Sequence, residues 1–528
     1  MLHTLYATDG MVVAPHHLAA QAGRDVLRDG GNAIEAMVAA AAAIAVVYPH
    51  MNAIGGDGFW LIHEPGREPV AIDACGPAAA LADRDFYDGL EAIPTRGPQA
   101  ALTVAGTVDG WRLALAHAAD WSTPLGLPRL LAAAIRHARD GFAVTRGQRT
   151  LVRGKFEQLA ALPGFAETYL SAGRLPEIGE RLHLPRLACT LEALATRGLR
   201  DFYEGELADA IGRELARIGS PLRTSDLAGY QAARVAPLEL RTRTARVFNL
   251  PPPTQGLATL MIIGLFERLG VSRADGFAHV HGLVEATKLA FVSRDQVVSD
   301  PRRVPVAPRS LLTPDWLDRA AGEISPATAS PWPRDAADGD TIWLGAIDRD
   351  GRAVSFIQSV YWEFGSGIVL GDTGIGWQNR GISFSLDPAA LNALEPGRKP
   401  FHTLNPSLAL FDDGRVMPFG TMGGEGQPQT QAAVFSRYAL FGQELQQAVT
   451  APRWLLGRTW GDDDTRLKLE ARFEPALAEA LRAAGHRVEV LDQAYSNTMG
   501  HAGALVRRAD GVIEGAADPR SDGIVAGL

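Results

Sequence analysis

The arrangement in this chain best suited to chemistry is a threonine that opens a strand directly behind a tract of prolines, small residues and acids. Ser325 to Asp340 reads Ser-Pro-Ala-Thr-Ala-Ser-Pro-Trp-Pro-Arg-Asp-Ala-Ala-Asp-Gly-Asp, the composition of an exposed, mobile segment. Thr341 begins the strand pattern Thr341 to Ile347. If the bond between Asp340 and Thr341 were cut, Thr341 would carry both a hydroxyl nucleophile and its own α-amine, whose ordinary pKa of about 7.7–8.0 suits a general base at neutral pH. Nucleophile and base would then share one residue. An ordinary linker between two domains is the other reading of the same segment.

Other chemistries lack their residues. The chain has no G-x-x-x-x-G-K-[ST] loop, no H-E-x-x-H, no G-x-G-x-x-G between a strand and a helix, and no G-x-S-x-G elbow, so the nucleotide, metallopeptidase and α/β-hydrolase readings have no anchor. Cys75 and Cys189 lie far apart and outside any ligand spacing, which predicts no metal, no disulfide framework and no cofactor. Cys75 reads as a small buried hydrophobe. Fifty-one Lys plus Arg against 60 Asp plus Glu give a net charge of −9 without long single-sign runs, which argues against nucleic acid or an anionic membrane as partner. The apolar stretch Ala36 to Tyr48 is too short to span a bilayer and reads as a core helix. The first ten residues lack the basic start and apolar core of a secretory signal, so a cytoplasmic protein is expected.

The elements that must position Thr341 follow from local pattern. Helices are expected over Ala19 to Arg28, Ala33 to Val47, Leu130 to Arg139 and Arg186 to Arg197, each bounded by glycine or proline. Tyr48 to Ile62 is a glycine-dense turn feeding a strand. After the 325–340 segment, Thr341 to Ile347 and Ala353 to Val360 form a hairpin around Asp348-Arg-Asp-Gly351. Pro406 to Phe411 and Val416 to Phe419 form a second strand pair, and a helix over Glu474 to Ala484 precedes strands near Val488 and Ala504. At roughly 150 residues per domain, 528 residues predict three or four domains. Fifty-six glycines exceed the roughly 7% usage of average chains.

Taken in order, several motifs resemble the γ-glutamyltransferase family of N-terminal nucleophile hydrolases. They are Gly30-Gly-Asn-Ala-Ile-Glu-Ala36, Tyr48-Pro-His50 with Gly55-Gly-Asp-Gly-Phe59, Ala105-Gly-Thr-Val-Asp-Gly110, Ala138-Arg-Asp-Gly-Phe142 and Pro251-Pro-Pro-Thr-Gln-Gly256. Asp348-Arg-Asp-Gly351, Phe364-Gly-Ser-Gly367, Met422-Gly-Gly424 and Asp518-Pro-Arg-Ser521 continue the series nearly to the C-terminus. The resemblance implies an α+β fold, a four-layer αββα sandwich with helices packed on two stacked antiparallel sheets. It also implies a proenzyme that cuts itself between Asp340 and Thr341. The products are a large subunit of residues 1–340, ending in the 325–340 linker, and a small subunit of residues 341–528, which stay together as one structural domain. Whether two such heterodimers associate is left open.

By the same resemblance Thr341 is the nucleophile, Ser359 is the second hydroxyl that orients it, and the backbone N–H groups of Gly423 and Gly424 form the oxyanion hole. Family members that act on γ-glutamyl compounds hold the glutamate end with Arg, Asn, Gln, Asp and paired Ser. Here the Arg position falls in Ile72-Asp-Ala-Cys-Gly-Pro77, which has no Arg, and the others become Tyr361, Arg380, Ser383, His402 and Thr403. A site without that Arg and that Asp has lost its grip on an amino-acid zwitterion. Arg380 brings a forked guanidinium suited to a carboxylate, and the bulkier Tyr361 and His402 shrink the pocket. The expected substrate is a small amide bearing a carboxylate and no amine. This pattern resembles the branch of the family that releases ammonia from oxamate in purine breakdown. Glutathione-like compounds or acylated β-lactams remain the alternative substrates, and a non-catalytic scaffold the alternative class.

Overall fold

Alanine dictates the packing of the first layer. The computed structural model describes residues 3–332, 340–457 and 465–528, with only the backbone of Asp340. Helix α1 (His17–Arg28) and helix α2 (Ala33–Val47) lie against each other, and every residue of α2 is buried. Its start is fixed locally: Ile34 and Glu35 N–H donate to Asn32 Oδ1 at 3.0 and 3.1 Å, and Asn32 N–H donates back to Glu35 Oε2 at 3.0 Å. Such a capping box stabilises a helix by about 1 kcal/mol. Ala33 N–H also donates to Asp348 Oδ2 at 3.0 Å, which ties α2 to the turn of the Thr341 hairpin.

Two seven-stranded sheets carry the molecule, and within each all pairings are antiparallel. In chain order their strands are β1 (Leu5–Ala7), β2 (Gly10–Ala14), β3 (Asp57–His63), β4 (Val70–Ala74), β5 (Ala233–Val235), β6 (Leu238–Arg241) and β7 (Ala245–Asn249). The remainder are β8 (Asp340–Asp348), β9 (Ala353–Tyr361), β10 (Ser407–Phe411), β11 (Val416–Thr421), β12 (Ala502–Arg507), β13 (Ile513–Ala517) and β14 (Ile524–Gly527). The first sheet runs β14-β2-β8-β9-β3-β4-β5 and the second β1-β13-β12-β11-β10-β7-β6. Each sheet therefore interleaves strands from both sides of residue 340.

The layers read α, β, β, α, as the family resemblance implies. Between the sheets lies an apolar core that includes Val13, Phe59, Trp343, Ile357, Leu408 and Leu505. Trp343 reaches across because its neighbours have no side chain: a Cβ on Gly420 would come within 2.2 Å of the indole, and one on Gly503 within 2.6 Å. The outer face of the first sheet is covered by α1, α2 and the helical region that follows, including α3 (Thr107–His117), α4 (Leu127–Asp140) and α5 (Pro185–Arg197). The second sheet is covered by α6 (Gly256–Arg268), α7 (Phe277–Val297) and α8 (Gly426–Phe435). No helix among the described residues is long and apolar enough to cross a membrane.

Of the 325–340 segment, residues 333–339 lie outside the described residues. Before them the chain is tied down. Ala329 N–H donates to Ala484 O at 2.7 Å, Ser330 N–H to Glu285 Oε2 at 3.0 Å, and Lys288 Nζ to Ser330 O at 2.7 Å.

Candidate active site

Thr341 sits where the β8/β9 ladder slips. Asp340 pairs with Tyr361 and Ile342 with Gln358, so the single residue Thr341 faces two residues, Ser359 and Val360. A bulge of this kind re-aims a side chain next to a site. Thr341 is fully buried, and Gln427 Nε2 donates to its Oγ1 at 3.4 Å. Ser359, also buried, accepts the Tyr361 N–H at 2.7 Å. Accepting there does not use the hydroxyl proton. The turn after Ser359 is strained, with Tyr361 at φ 82° and Phe364 at φ 59°, a region that aromatic residues rarely enter.

The glycine pair lies between β11 and α8. Gly423 and Gly424 adopt φ 117° and 52°, conformations that favour glycine. Their carbonyls are engaged, by Gly426 N–H at 2.7 Å and by Gln427 N–H and Gln255 Nε2 at 3.2 and 2.8 Å. Among the described residues neither glycine N–H has an acceptor. Gln427 ties this loop to the nucleophile candidate, its N–H donating to Gly424 O and its Nε2 to Thr341 Oγ1. Gln255 also donates to Thr403 O at 2.8 Å, and its Oε1 accepts from Arg294 Nη1 at 3.0 Å. Arg294 in turn pairs with Glu425 at 2.7 Å. The loop is thus locked to the segment that carries His402 and Thr403.

Arg380 is the unusual group. It is 1% exposed, its guanidinium carbon lies 3.2 Å from the centre of the Tyr361 ring, and Nη1 donates to Thr403 Oγ1 at 3.1 Å. Nε and Nη2 are buried and unsatisfied, and no carboxylate of the described residues lies within ion-pair distance. Burial pulls its pKa down from the usual guanidinium value, yet an arginine stays charged. Buried donors left unpaired on a cation are a feature that calls for an acceptor.

His402 is held through both ring nitrogens. Leu404 N–H donates to Nδ1 at 3.3 Å, which leaves the ring proton on Nε2 to donate to Asp57 Oδ2 at 3.1 Å. The backbone of the Pro251 to Gly256 motif clamps the same residue, His402 N–H donating to Pro253 O at 2.8 Å and Gln255 N–H to His402 O at 2.9 Å. His402 is therefore a wall whose polar atoms are spent on protein. Ser383 shares its hydroxyl proton between the carbonyls of Arg380 and Phe401 at 3.1 and 3.0 Å.

Thr341, Ser359 and Tyr361 on the β8/β9 hairpin, Arg380 at the start of the helical turn Arg380–Ser383, Thr403 ahead of β10 and the glycine pair after β11 are linked by these hydrogen bonds. Asp57 and Gln427 were not anticipated from the sequence. Both lie inside or beside glycine motifs, where they read as turn residues. Among the described residues, two buried clusters bring three ligand-type atoms within 4.8 Å of one another: Asp57, Cys75 and His402, and His281, Glu285 and His486. Neither fits a metal. The first presents a protonated Nε2, and in the second the two rings hydrogen-bond at 2.8 Å while Lys288 Nζ donates to Glu285 at 2.6 Å.

Comparison with known proteins places this geometry. Residues 19–528 match the gamma-glutamyltranspeptidase family model. The sequence is 55% identical over 522 residues, 99% of either chain, to the oxamate amidohydrolase proenzyme of Klebsiella pneumoniae subsp. pneumoniae. It is 39% identical over 535 residues, 100% of either chain, to the glutathione hydrolase-like YwrD proenzyme of Bacillus subtilis. Among solved structures, the cephalosporin acylase from Bacillus halodurans superposes with a TM-score of 0.91 at 34% identity, covering 100% of this chain and 97% of that one. With the family model matched over nearly its whole length, the chain belongs to the gamma-glutamyltranspeptidase family.

Proposed function

We propose that this chain is a self-processing amidohydrolase that hydrolyses a small carboxylate-bearing amide, oxamate, to oxalate and ammonia. The observation that carries the reading is Arg380, a fully buried guanidinium with two unused donor nitrogens and no carboxylate of its own. The 55% identity to an oxamate amidohydrolase proenzyme supports the same substrate. At Ser383, where the resemblance places the family's Asp, a neutral hydroxyl offers an α-ammonium no counter-charge.

Self-cleavage adds water across the bond between Asp340 and Thr341. It leaves a carboxylate on a large chain of residues 1–340 and an amine on a small chain of residues 341–528. In turnover the Thr341 amine takes the proton of its own hydroxyl while Oγ1 bonds to the amide carbonyl carbon, and Ser359 orients that hydroxyl. The carbonyl oxygen gains charge against the N–H groups of Gly423 and Gly424, each typically contributing about 2.7–4 kcal/mol. The amine returns its proton to the departing nitrogen, ammonia leaves, and water hydrolyses the ester.

The test has two parts. Thr341→Ala is expected to abolish both the two-band pattern on a denaturing gel and ammonia release from oxamate. An uncut chain that stayed fully active would overturn the reading. In a substrate panel, ammonia release from oxamate is expected to exceed glutamate release from glutathione, and activity on glutathione alone would return the pocket to γ-glutamyl compounds.

A further inference from the structure

Asp57 gathers the walls of the pocket onto one carboxylate. Its Oδ1 accepts from Gly76 N–H, Gly106 N–H and Gln378 Nε2 at 3.1, 3.1 and 3.2 Å, and among the described residues its Oδ2 accepts only from His402 Nε2 at 3.1 Å. Gln378 lies two residues before Arg380, and His402 one before Thr403, the partner of Arg380. Asp57 is completely buried and takes no part in the chemistry described above.

Counting charge around it is short. Asp73 and Lys399 form an ion pair at 2.7 Å and cancel. Burial holds the Cys75 thiol and the Tyr203 and Tyr230 phenols protonated. His402 is neutral, its pKa pushed well below the usual imidazole value by burial and by Arg380 and Lys399. What remains is one cation, Arg380, and one anion, Asp57, which do not touch. Among the described residues the charges balance, and two guanidinium nitrogens still lack an acceptor.

A substrate carboxylate on Arg380 would turn this balance into a buried net charge of −1, which a low-dielectric interior resists. The bonding offers the remedy. All three amide donors sit on Oδ1, so a proton placed between Oδ2 and the imidazole disturbs none of them. It costs only the 3.3 Å contact between Leu404 N–H and Nδ1. We propose that Asp57 is a specificity-determining residue of the acyl pocket: it balances Arg380 in the free enzyme and, with His402, takes up one solvent proton when a carboxylate ligand pairs with Arg380. The inference rests on Arg380 being the carboxylate anchor. Burial pushes the Asp57 carboxyl up to about 7, so near neutral pH the proton is within reach.

The test uses cleaved wild-type enzyme and oxalate, the product anion. Calorimetric titration at pH 8 in buffers of different ionisation enthalpy counts protons taken up per oxalate bound, and competition against oxamate gives its inhibition constant from pH 6 to 9. The Thr341 amine titrates in the same range, so the difference from Asp57→Asn is the measure. Wild type is expected to take up about one proton more than D57N. Its inhibition constant is expected to weaken about tenfold per pH unit above 7, with D57N lacking that component. Equal proton counts in the two proteins, or tight wild-type binding with no uptake, would overturn the inference. If D57N does not accumulate, the wild-type count decides alone, with zero uptake overturning it. Arg380→Gln separates the two ideas, because undiminished oxalate binding there would remove the anchor itself and this inference with it.

Discussion

Arg380 is a cation kept where water does not reach, and that has a cost that its ligand removes. Charge-assisted hydrogen bonds contribute about 1.5–3 kcal/mol each, while a buried guanidinium with two nitrogens unpaired destabilises the fold that holds it. Arg380→Gln removes the charge and keeps one donor group. The KM for oxamate is therefore expected to rise about 10- to 100-fold with self-cleavage intact, and the melting temperature to stay level or increase. Steady-state kinetics and a thermal melt of the same preparation check both halves. A fall in melting temperature without a change in KM would mean that Arg380 serves the fold instead. Tyr361 belongs to the same device: its φ of 82° turns the ring under the guanidinium, and such backbone strain persists only where the surroundings over-determine it.

At the scale of elements, the site depends on how closely β3 approaches β9. A Cβ on Gly56 would lie 2.0 Å from the carbonyl oxygen of Ser359, the residue paired with Asp57 across the two strands. Gly56→Ala must therefore push β9 away and shift Ser359 and Asp57 together. Destabilisation of about 1–3 kcal/mol, as in overpacked cores, is expected, together with slowed or absent self-cleavage in a gel time course. The elements themselves were unevenly legible. Helices α1 and α4 have one apolar face and one wet face, so their period shows in the sequence, and the two hairpins alternate around clear turns. Helices α6, α7 and α8 are buried on nearly all sides. With no polar stripe they carry no period, and the sequence reading passes over them.

The whole molecule buries imidazoles that stay neutral. His50 is pushed down to about 3 and His501 to about 4, in both cases chiefly by burial. An unfolded histidine binds its proton near 6.5 while these do not, so their contribution is present above pH 6.5 and is lost as pH falls toward 4, at about 1.4 kcal/mol per imidazole for each pH unit. Asp57, raised to about 7, acts with the opposite sign over the same window and offsets one of them. Asp518 is buried yet held at about 2 by Arg453 and Arg520, so its contribution fails only below the ordinary carboxylate range. Scanning calorimetry from pH 8 to 4 is expected to show a falling melting temperature that starts near 6.5, whereas a plateau down to pH 5 would contradict this balance.

The sequence alone determined the motifs that carry the family resemblance, and through that resemblance the α+β layering, because glycine turns, helix ends and strand alternation are local properties written in a few neighbouring positions. It also marked Arg380 as a replacement worth explaining. Only the tertiary structure decided what the replacement means. Whether Arg380 lies on the surface beside an acid or in the interior without one depends on Tyr361, Thr403 and Asp57, which are separated from it by up to hundreds of residues and meet only when two sheets stack. For the same reason Asp57, a turn residue in its own motif, became the counter-charge of the pocket, and the bulge that turns Thr341 inward came from the register between two strands. Charge balance and register are set by what packs against a residue, and no window of sequence contains that.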